Sequence, residues 1–248
     1  MTDFSIAVRP ERRVELAAGL TRVRARIADA CAAAGRPADE VTLVAVTKTY
    51  PAADVVALAG LGVTDVGENR DQEAAGKAAA VAGVGTVPRW HFIGQLQRNK
   101  ARSVVRYADV VQSVDSVRLA AALDTAATGA RDRPLDVLVQ VSVDGDPARG
   151  GALPGVADPE RGLDRVAAAV AGAGGLRLAG LMAVAPLGWE PDRAFARLAE
   201  VAARLRADHP GASVLSAGMS GDLESAIRHG ATHVRVGSAL LGMRPTLG

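Results

Sequence analysis

The sequence predicts an α/β chain folded as a single closed (β/α)8 barrel of the TIM type, with an additional N-terminal helix ahead of it. Three observations carry that expectation. Eight short apolar runs rich in Val, Leu and Ala recur between residues 41 and 237. A helical or turn segment follows each, which is the pattern of a parallel sheet with helical crossovers. An even eight in about 210 residues suits a closed barrel better than an open doubly wound sheet, which is the alternative. No composition break marks a linker, so residues 1–248 are assigned to one domain, with the leading helix at about 10–35 and the barrel at about 40–245.

Taken in order, residues 11–34 place Val14, Leu16, Leu20, Val23 and Ile27 at helical spacing with arginines between them. That is an amphipathic helix, which Gly35 and Pro37 stop. Strands are expected at 41–47, 63–68, 89–94, 108–114, 135–143, 176–184, 212–218 and 232–237. Helices are expected at 51–59, 69–81, 96–106, 116–127, 158–171, 190–207 and 220–228. The Pro/Gly-rich stretch 144–155 reads as a long loop after the fifth strand. In a barrel it lies on the face where active-site loops gather. The GAGG at 172–175 follows a helix instead of a strand, so it reads as a turn and not as a dinucleotide fingerprint.

Composition removes several function classes. Nearly half the residues are apolar but only 3% are aromatic, so the core must be built from Ala, Val and Leu. A net charge of +2 argues against a dedicated nucleic-acid binder. Cys31 is the single cysteine, which leaves no intramolecular disulfide and no Cys/His cluster for a metal. The N-terminus lacks an apolar core of signal-peptide length, and no apolar run reaches the roughly 18 residues of a membrane span. A soluble cytoplasmic protein is expected.

The chemistry starts from an imbalance of basic residues. Only Lys48, Lys77 and Lys100 stand against 26 arginines. Lys77 follows Glu73 by four residues in a helical stretch and reads as a solvated surface pair. Lys100 belongs to a helical segment with Arg98, Arg102 and Arg106 and reads as part of a solvated basic face, with partner contact as the alternative. Lys48 ends the first strand, at the barrel mouth. Only lysine can lose its proton near neutrality and attack a carbonyl to form a Schiff base, and burial would favour that by lowering its pKa. The bland alternative is a lysine snorkelling from a strand end.

Strands seven and eight run into "SAGMSGD" (216–222) and "VRVGSALLG" (234–242). Each offers glycine for close approach, a hydroxyl donor and free N–H groups, on the two loops that favour phosphate in such barrels. Ser220 as an N-cap for the helix at 221–228, and Ser238 as a cap for a short helix at 239–241, are the plainer readings. Arg235 alternates with Val234 and Val236 and needs a partner, which a phosphorylated ring cofactor would supply. In pyridoxal phosphate sites the ring nitrogen meets a carboxylate or an arginine. Beside an arginine the ring stays unprotonated and is the weaker electron sink, which suits binding, or modest proton chemistry, better than transamination.

Six segments carry a resemblance: "VAVTKTYP" (44–51), "VGENRDQE" (66–73), "WHFIGQLQRNK" (90–100), "GLMAV" (180–184), "LSAGMSGDLESAI" (215–227) and "VRVGSALLG" (234–242). In order and spacing they resemble the pyridoxal phosphate homeostasis protein family, whose members are similar to the barrel domain of alanine racemase. The similarity runs from about residue 10 to the C-terminus. It implies that Lys48 holds pyridoxal 5'-phosphate as a Schiff base. It further implies that Ser220, Gly237, Ser238 and the backbone at Met219 hold the phosphate, and that Arg235 faces the ring nitrogen. Asn69 and His91 would line the same mouth from strands two and three, although His91 reads first as packed in or near the barrel, and Met182 as core before contact. Two departures stand out. Arg70 takes the place of a common aromatic, and Arg149 stands in the long loop where relatives often carry lysine and cannot serve as a second acceptor.

The resemblance implies a carrier that buffers and delivers the cofactor, in transient contact with apo-enzymes that need it, with no catalytic residue and no metal. The alternative is an amino-acid racemase or a related enzyme. Such a racemase needs a second base, usually a tyrosine from an additional domain. This chain ends at Gly248 and has only Tyr50 and Tyr107. A basic interaction module resting on the 98–106 segment is a third class. A monomer is expected.

Overall fold

Eight short strands that are buried on both faces achieve this by closing on one another and taking a coat of helices. The computed structural model describes residues 6 and 8–242, so the ends of the expected domain span, 1–5, 7 and 243–248, lie outside the described residues. The strands are β1 (Thr42–Val46), β2 (Asp65–Glu68), β3 (Arg89–Phe92), β4 (Val110–Val114), β5 (Leu135–Gln140), β6 (Leu176–Met182), β7 (Val214–Ser216) and β8 (His233–Val236). They form one closed parallel barrel in sequence order. Closure is made where β1 meets β8, pairing Val44 with Arg235 and Ala45 with Val236.

Helices α1 (Pro10–Ala33), α2 (Ala52–Gly60), α3 (Asp71–Gly83), α4 (Ala101–Val104), α5 (Val117–Thr128), α6 (Leu163–Ala171), α7 (Pro191–Asp208), α8 (Leu223–Arg228) and α9 (Ser238–Leu241) complete the architecture. The closed barrel with its leading helix is the expected fold. Several boundaries differ. The helix expected at 96–106 shrinks to a 3-10 turn, Arg98–Lys100, and the single turn of α4. The crossover from Phe92 to Val110 leaves little more length, and Tyr107 and Ala108 already bond back to Val104 O. β5 stops at Gln140, and Val141 pairs instead with Ala152 across the long loop. β7 is three residues long, because Gly218 beyond it adopts φ +88° and turns the chain out of the sheet.

Most of the core lies between strands and helices, in two large apolar clusters around Phe92, Phe195 and Leu198 and around Leu16, Leu58 and Ile227. Inside the barrel only a thin apolar layer forms, from Val110, Leu138, Ala179 and Met182. Polar side chains, among them His91, Gln112, Ser216 and Arg235, share that interior and are buried. α1 buries Leu16, Leu20, Val23, Ile27 and Cys31, while Val14, expected on that stripe, is 69% exposed.

α1 also ties the start of the chain to its end. A Cβ on Gly19 would stand 2.2 Å from the carbonyl oxygen of Leu240 in α9, so only glycine permits this approach. Arg12 completes the tie, donating to the Leu241 carbonyl and to Asp54. Gly19→Leu is therefore expected to lower stability by about 1–3 kcal/mol through overpacking. Urea unfolding measures this, and an unchanged midpoint would show that α1 shifts off α9 at no cost.

Candidate functional site

Closing parallel strands points every carboxyl end at one mouth, and loops from both sides of the β1–β8 seam meet there. They enclose a cavity of about 720 Å³, within the range of small-molecule sites. Lys48, Asn69, Met219, Ser220, Arg235, Gly237 and Ser238, all expected from sequence, line it. Sequence reasoning missed Val46, Ile93, Val184, Gly221 and Gly242, which complete the wall beside Tyr50 and Met182. Small or apolar residues at strand ends carry no chemical signature. Met182 is both things, buried in the inner layer and a floor to the cavity.

Lys48 lies just past β1, in a turn closed by a hydrogen bond from Tyr50 N to Thr47 O. Thr49 takes φ +68°, an uncommon conformation for a β-branched residue that the surroundings must hold in place. Its N–H donates to Glu73 Oε1, and this pins the turn from outside. From beneath, Lys77 Nζ donates to Thr47 O at 2.8 Å and to Glu68 Oε1 at 2.6 Å, and Thr47 Oγ1 donates to the same carboxylate oxygen at 2.6 Å. Lys77 is thus no surface residue. It pairs with Glu73 at 3.1 Å as the spacing predicts, but it is buried, and its closer partner is Glu68. Burial pushes the Glu68 carboxyl up, against the lowering from Lys77 and Thr47. Lys48 has no hydrogen-bond or ion-pair partner among the described residues, so its amine is the free one.

Arg235 projects into the barrel and is buried. Its Nη1 donates to Ser216 O and Ser216 Oγ, both at 2.8 Å, and its Nη2 donates to Ala183 O at 2.8 Å. No carboxylate pairs with it among the described residues, and burial pushes its pKa down to about 10. A guanidinium carries five N–H donors. Three are used here, which leaves Nε–H and one Nη2–H for the cavity it lines.

Opposite the lysine, backbone turns supply more donors. Gly218 adopts φ +88°, and a Cβ there would stand 2.6 Å from Ala226 Cβ, so glycine lets the loop after β7 fold tightly against α8. Ser220 does not cap α8. Asp222 stands at that N-cap position, and its carboxylate accepts instead from Met219 N at 2.6 Å. Gly237, not Ser238, is the N-cap position of α9. The N–H groups of Ser220, Gly221, Ser238 and Ala239, and both serine hydroxyls, have no acceptor among the described residues. Unsatisfied donors converging on one concavity make an anion cradle.

Other expected residues lie elsewhere. His91 is not at the mouth. Its ring is buried lower in the barrel, between Asp65 and Gln112, because His91 lies mid-strand and Ile93 takes the mouth position. Tyr50 reaches the cavity, but its hydroxyl donates to Gly242 O at 2.7 Å. Tyr107 is remote, with its hydroxyl near Asp71. Lys100 is half exposed and 3.8 Å from Asp71. Arg70 is exposed, at the N-cap position of α3. Arg149 pairs with Asp144 at 3.2 Å within its loop. No His/Cys/Asp/Glu cluster fit for a metal occurs among the described residues, and no helix is long and apolar enough to cross a membrane.

Comparison with known proteins matches residues 19–245 to the family described as alanine racemase, N-terminal domain. The pyridoxal phosphate homeostasis protein of Mycobacterium leprae (strain TN) is 47% identical over 252 residues, covering 96% of either chain. Among solved structures, an unknown protein from Bifidobacterium adolescentis superposes with a TM-score of 0.84 at 33% identity, covering 94% of this chain and 97% of that one. PipY of Synechococcus elongatus PCC7942, solved with PLP bound, gives 0.74 at 33% identity, covering 92% of this chain and all of its own.

The buried lysine gives this site its own test. Lys77→Met leaves the Glu68 carboxylate buried without a cation and is expected to cost about 3–5 kcal/mol. Lys100→Met, at a half-exposed position, is expected to stay within about 0.5 kcal/mol of the parent. Equal losses in urea unfolding would refute the division between these two lysines.

Proposed function

The chain belongs to the pyridoxal phosphate homeostasis proteins within the alanine racemase N-terminal domain family, and from that membership we propose that it binds pyridoxal 5'-phosphate and holds it on Lys48. One observation carries the reading: a single partnerless lysine amine faces a ring of partnerless N–H and O–H donors across one cavity. The amine adds to the aldehyde carbon of the cofactor, forming a C=N Schiff base and releasing one water. What the group supplies when bound is an electron-withdrawing ring conjugated to that bond.

The remaining roles follow from donor chemistry. Ser220 and Ser238, with the free N–H groups of Ser220, Gly221, Ser238 and Ala239, take the phosphate, and Met219 and Asn69 flank the ring. Gly237 admits the phosphate to the backbone. Arg235 offers one of its free N–H bonds to the ring nitrogen. A guanidinium does not readily give up a proton, so it keeps that nitrogen unprotonated and the ring a poor electron sink. This favours holding over transformation. The engagement of the Tyr50 hydroxyl with the Gly242 carbonyl also supports the absence of a second base. The protein then acts as a buffer and donor of the cofactor inside the cell, as a monomer in transient contact with apo-enzymes that need it.

Borohydride treatment of the loaded protein should trap one covalent adduct, which peptide mapping places on Lys48 and which Lys48→Arg abolishes while leaving the fold intact. An adduct on Lys77 or Lys100 would sink the assignment. Incubation of loaded protein with L- and D-amino acids in deuterated water is expected to leave their α-protons in place. Robust exchange on any one of them would replace the carrier by an enzyme.

A further inference from the structure

Below the mouth, five buried side chains from five strands join end to end across the barrel interior. Arg235 Nη1 on β8 donates to Ser216 Oγ on β7 at 2.8 Å, and Ser216 Oγ donates to Gln112 Oε1 on β4 at 2.7 Å. Gln112 Nε2 stands 2.7 Å from His91 Nδ1 on β3, and His91 Nε2 stands 2.8 Å from Asp65 Oδ1 on β2. All five are buried.

With a neutral imidazole at His91, the two ends fix the direction of every bond between them. A guanidinium only donates and a carboxylate only accepts. Asp65 is held ionised, since hydrogen bonds from His91 and Thr64 outweigh the upward push of burial on its carboxyl. His91 therefore carries its proton on Nε2, and its bare Nδ1 takes an amide N–H from Gln112. That sets the Gln112 amide with its oxygen toward Ser216. The Ser216 proton turns to that oxygen and leaves the Oγ lone pairs facing Arg235. With the amide reversed, the Ser216 proton would lose its acceptor and could turn on the guanidinium.

Arg235 depends on this more than a paired arginine would. Three neutral acceptors orient it, namely Ser216 O, Ser216 Oγ and Ala183 O, with no carboxylate among them. We infer that Gln112, its amide oriented by His91 and Asp65, is a positioning residue for Arg235: by holding the Ser216 hydroxyl turned away, it fixes which N–H bonds of the guanidinium face the ligand cavity. The inference rests on the reading of Arg235 as the group that meets the ring nitrogen, and it adds four residues behind it, Ser216, Gln112, His91 and Asp65.

Gln112→Met keeps the volume and removes both polar functions, and two measurements decide its effect. In the unloaded protein, nitrogen-15 correlation spectra are expected to show His91 as the Nε2–H tautomer. In Gln112→Met the Arg235 Nε–H is expected to exchange several-fold faster. In the loaded protein, Gln112→Met is expected to weaken pyridoxal phosphate binding about tenfold, the scale of one hydrogen bond to a charged group, and to shift the visible absorption maximum. Gln112→Glu, which can still accept from Ser216, is expected to restore slow exchange at Arg235. An Nδ1–H tautomer in the parent, or unchanged Arg235 exchange, affinity and absorption beside a merely lowered melting temperature, would overturn the inference. Failure of the parent protein to bind pyridoxal phosphate would instead overturn the cofactor reading, and the exchange rates would still decide the role of Gln112.

Discussion

Closure of β1 against β8 is the constraint on which everything else depends. The pairing of Val44 with Arg235 and Ala45 with Val236 brings the first strand beside the last. It thereby sets a lysine encoded at position 48 against serines encoded at 220 and 238. Nothing local holds these together. An open sheet of the same eight strands would leave the amine and these donors on opposite edges. The fold's second tie between chain ends, α1 on α9 through Gly19, acts on the same seam from outside.

Three buried or half-buried cations surround this seam, and each is handled differently. Lys77 is compensated by Glu68 and Glu73, and its hydrogen bond to Thr47 O turns a charge pair into a brace for the lysine turn. Arg235 is solvated by carbonyl and hydroxyl oxygens in place of a carboxylate, so its positive charge is stabilised without being cancelled. Lys48 has no partner among the described residues. Structural charge is neutralised, and the two cations that line the cavity are left with capacity to spare. Unspent hydrogen-bonding capacity in a concave site separates a site from a scaffold.

Much of this was legible in the sequence. Apolar runs at regular intervals gave the strands, and the glycine-hydroxyl turns after strands seven and eight marked two loops that line the cavity. The misreadings share one cause: sequence spacing describes neighbours along an element and not those across the sheet. The interval from Glu73 to Lys77 spoke correctly of an ion pair but not of Glu68, which arrives from the adjacent strand and buries the pair. Of the two readings open for His91, packing within the barrel is the one the structure bears out, because two residues separate a mouth position from a central one. Gln112 and Ser216 were overlooked, although polar residues at inward positions of "VVQSV" and "VLS" are the signal that could have found them. A side chain of that kind is rarely buried without a partner.

The shortage of lysine can now be seen as a matter of stoichiometry. Aldehydes condense with amines and not with guanidinium groups at neutral pH. A reactive aldehyde meeting this surface therefore finds charge almost everywhere and a condensation partner almost nowhere. Lys77 is occluded and Lys100 is half exposed beside Asp71, so on the proposed reading Lys100 is the one other lysine left to compete with Lys48. Writing positive charge as arginine thus narrows condensation at side chains to very few positions.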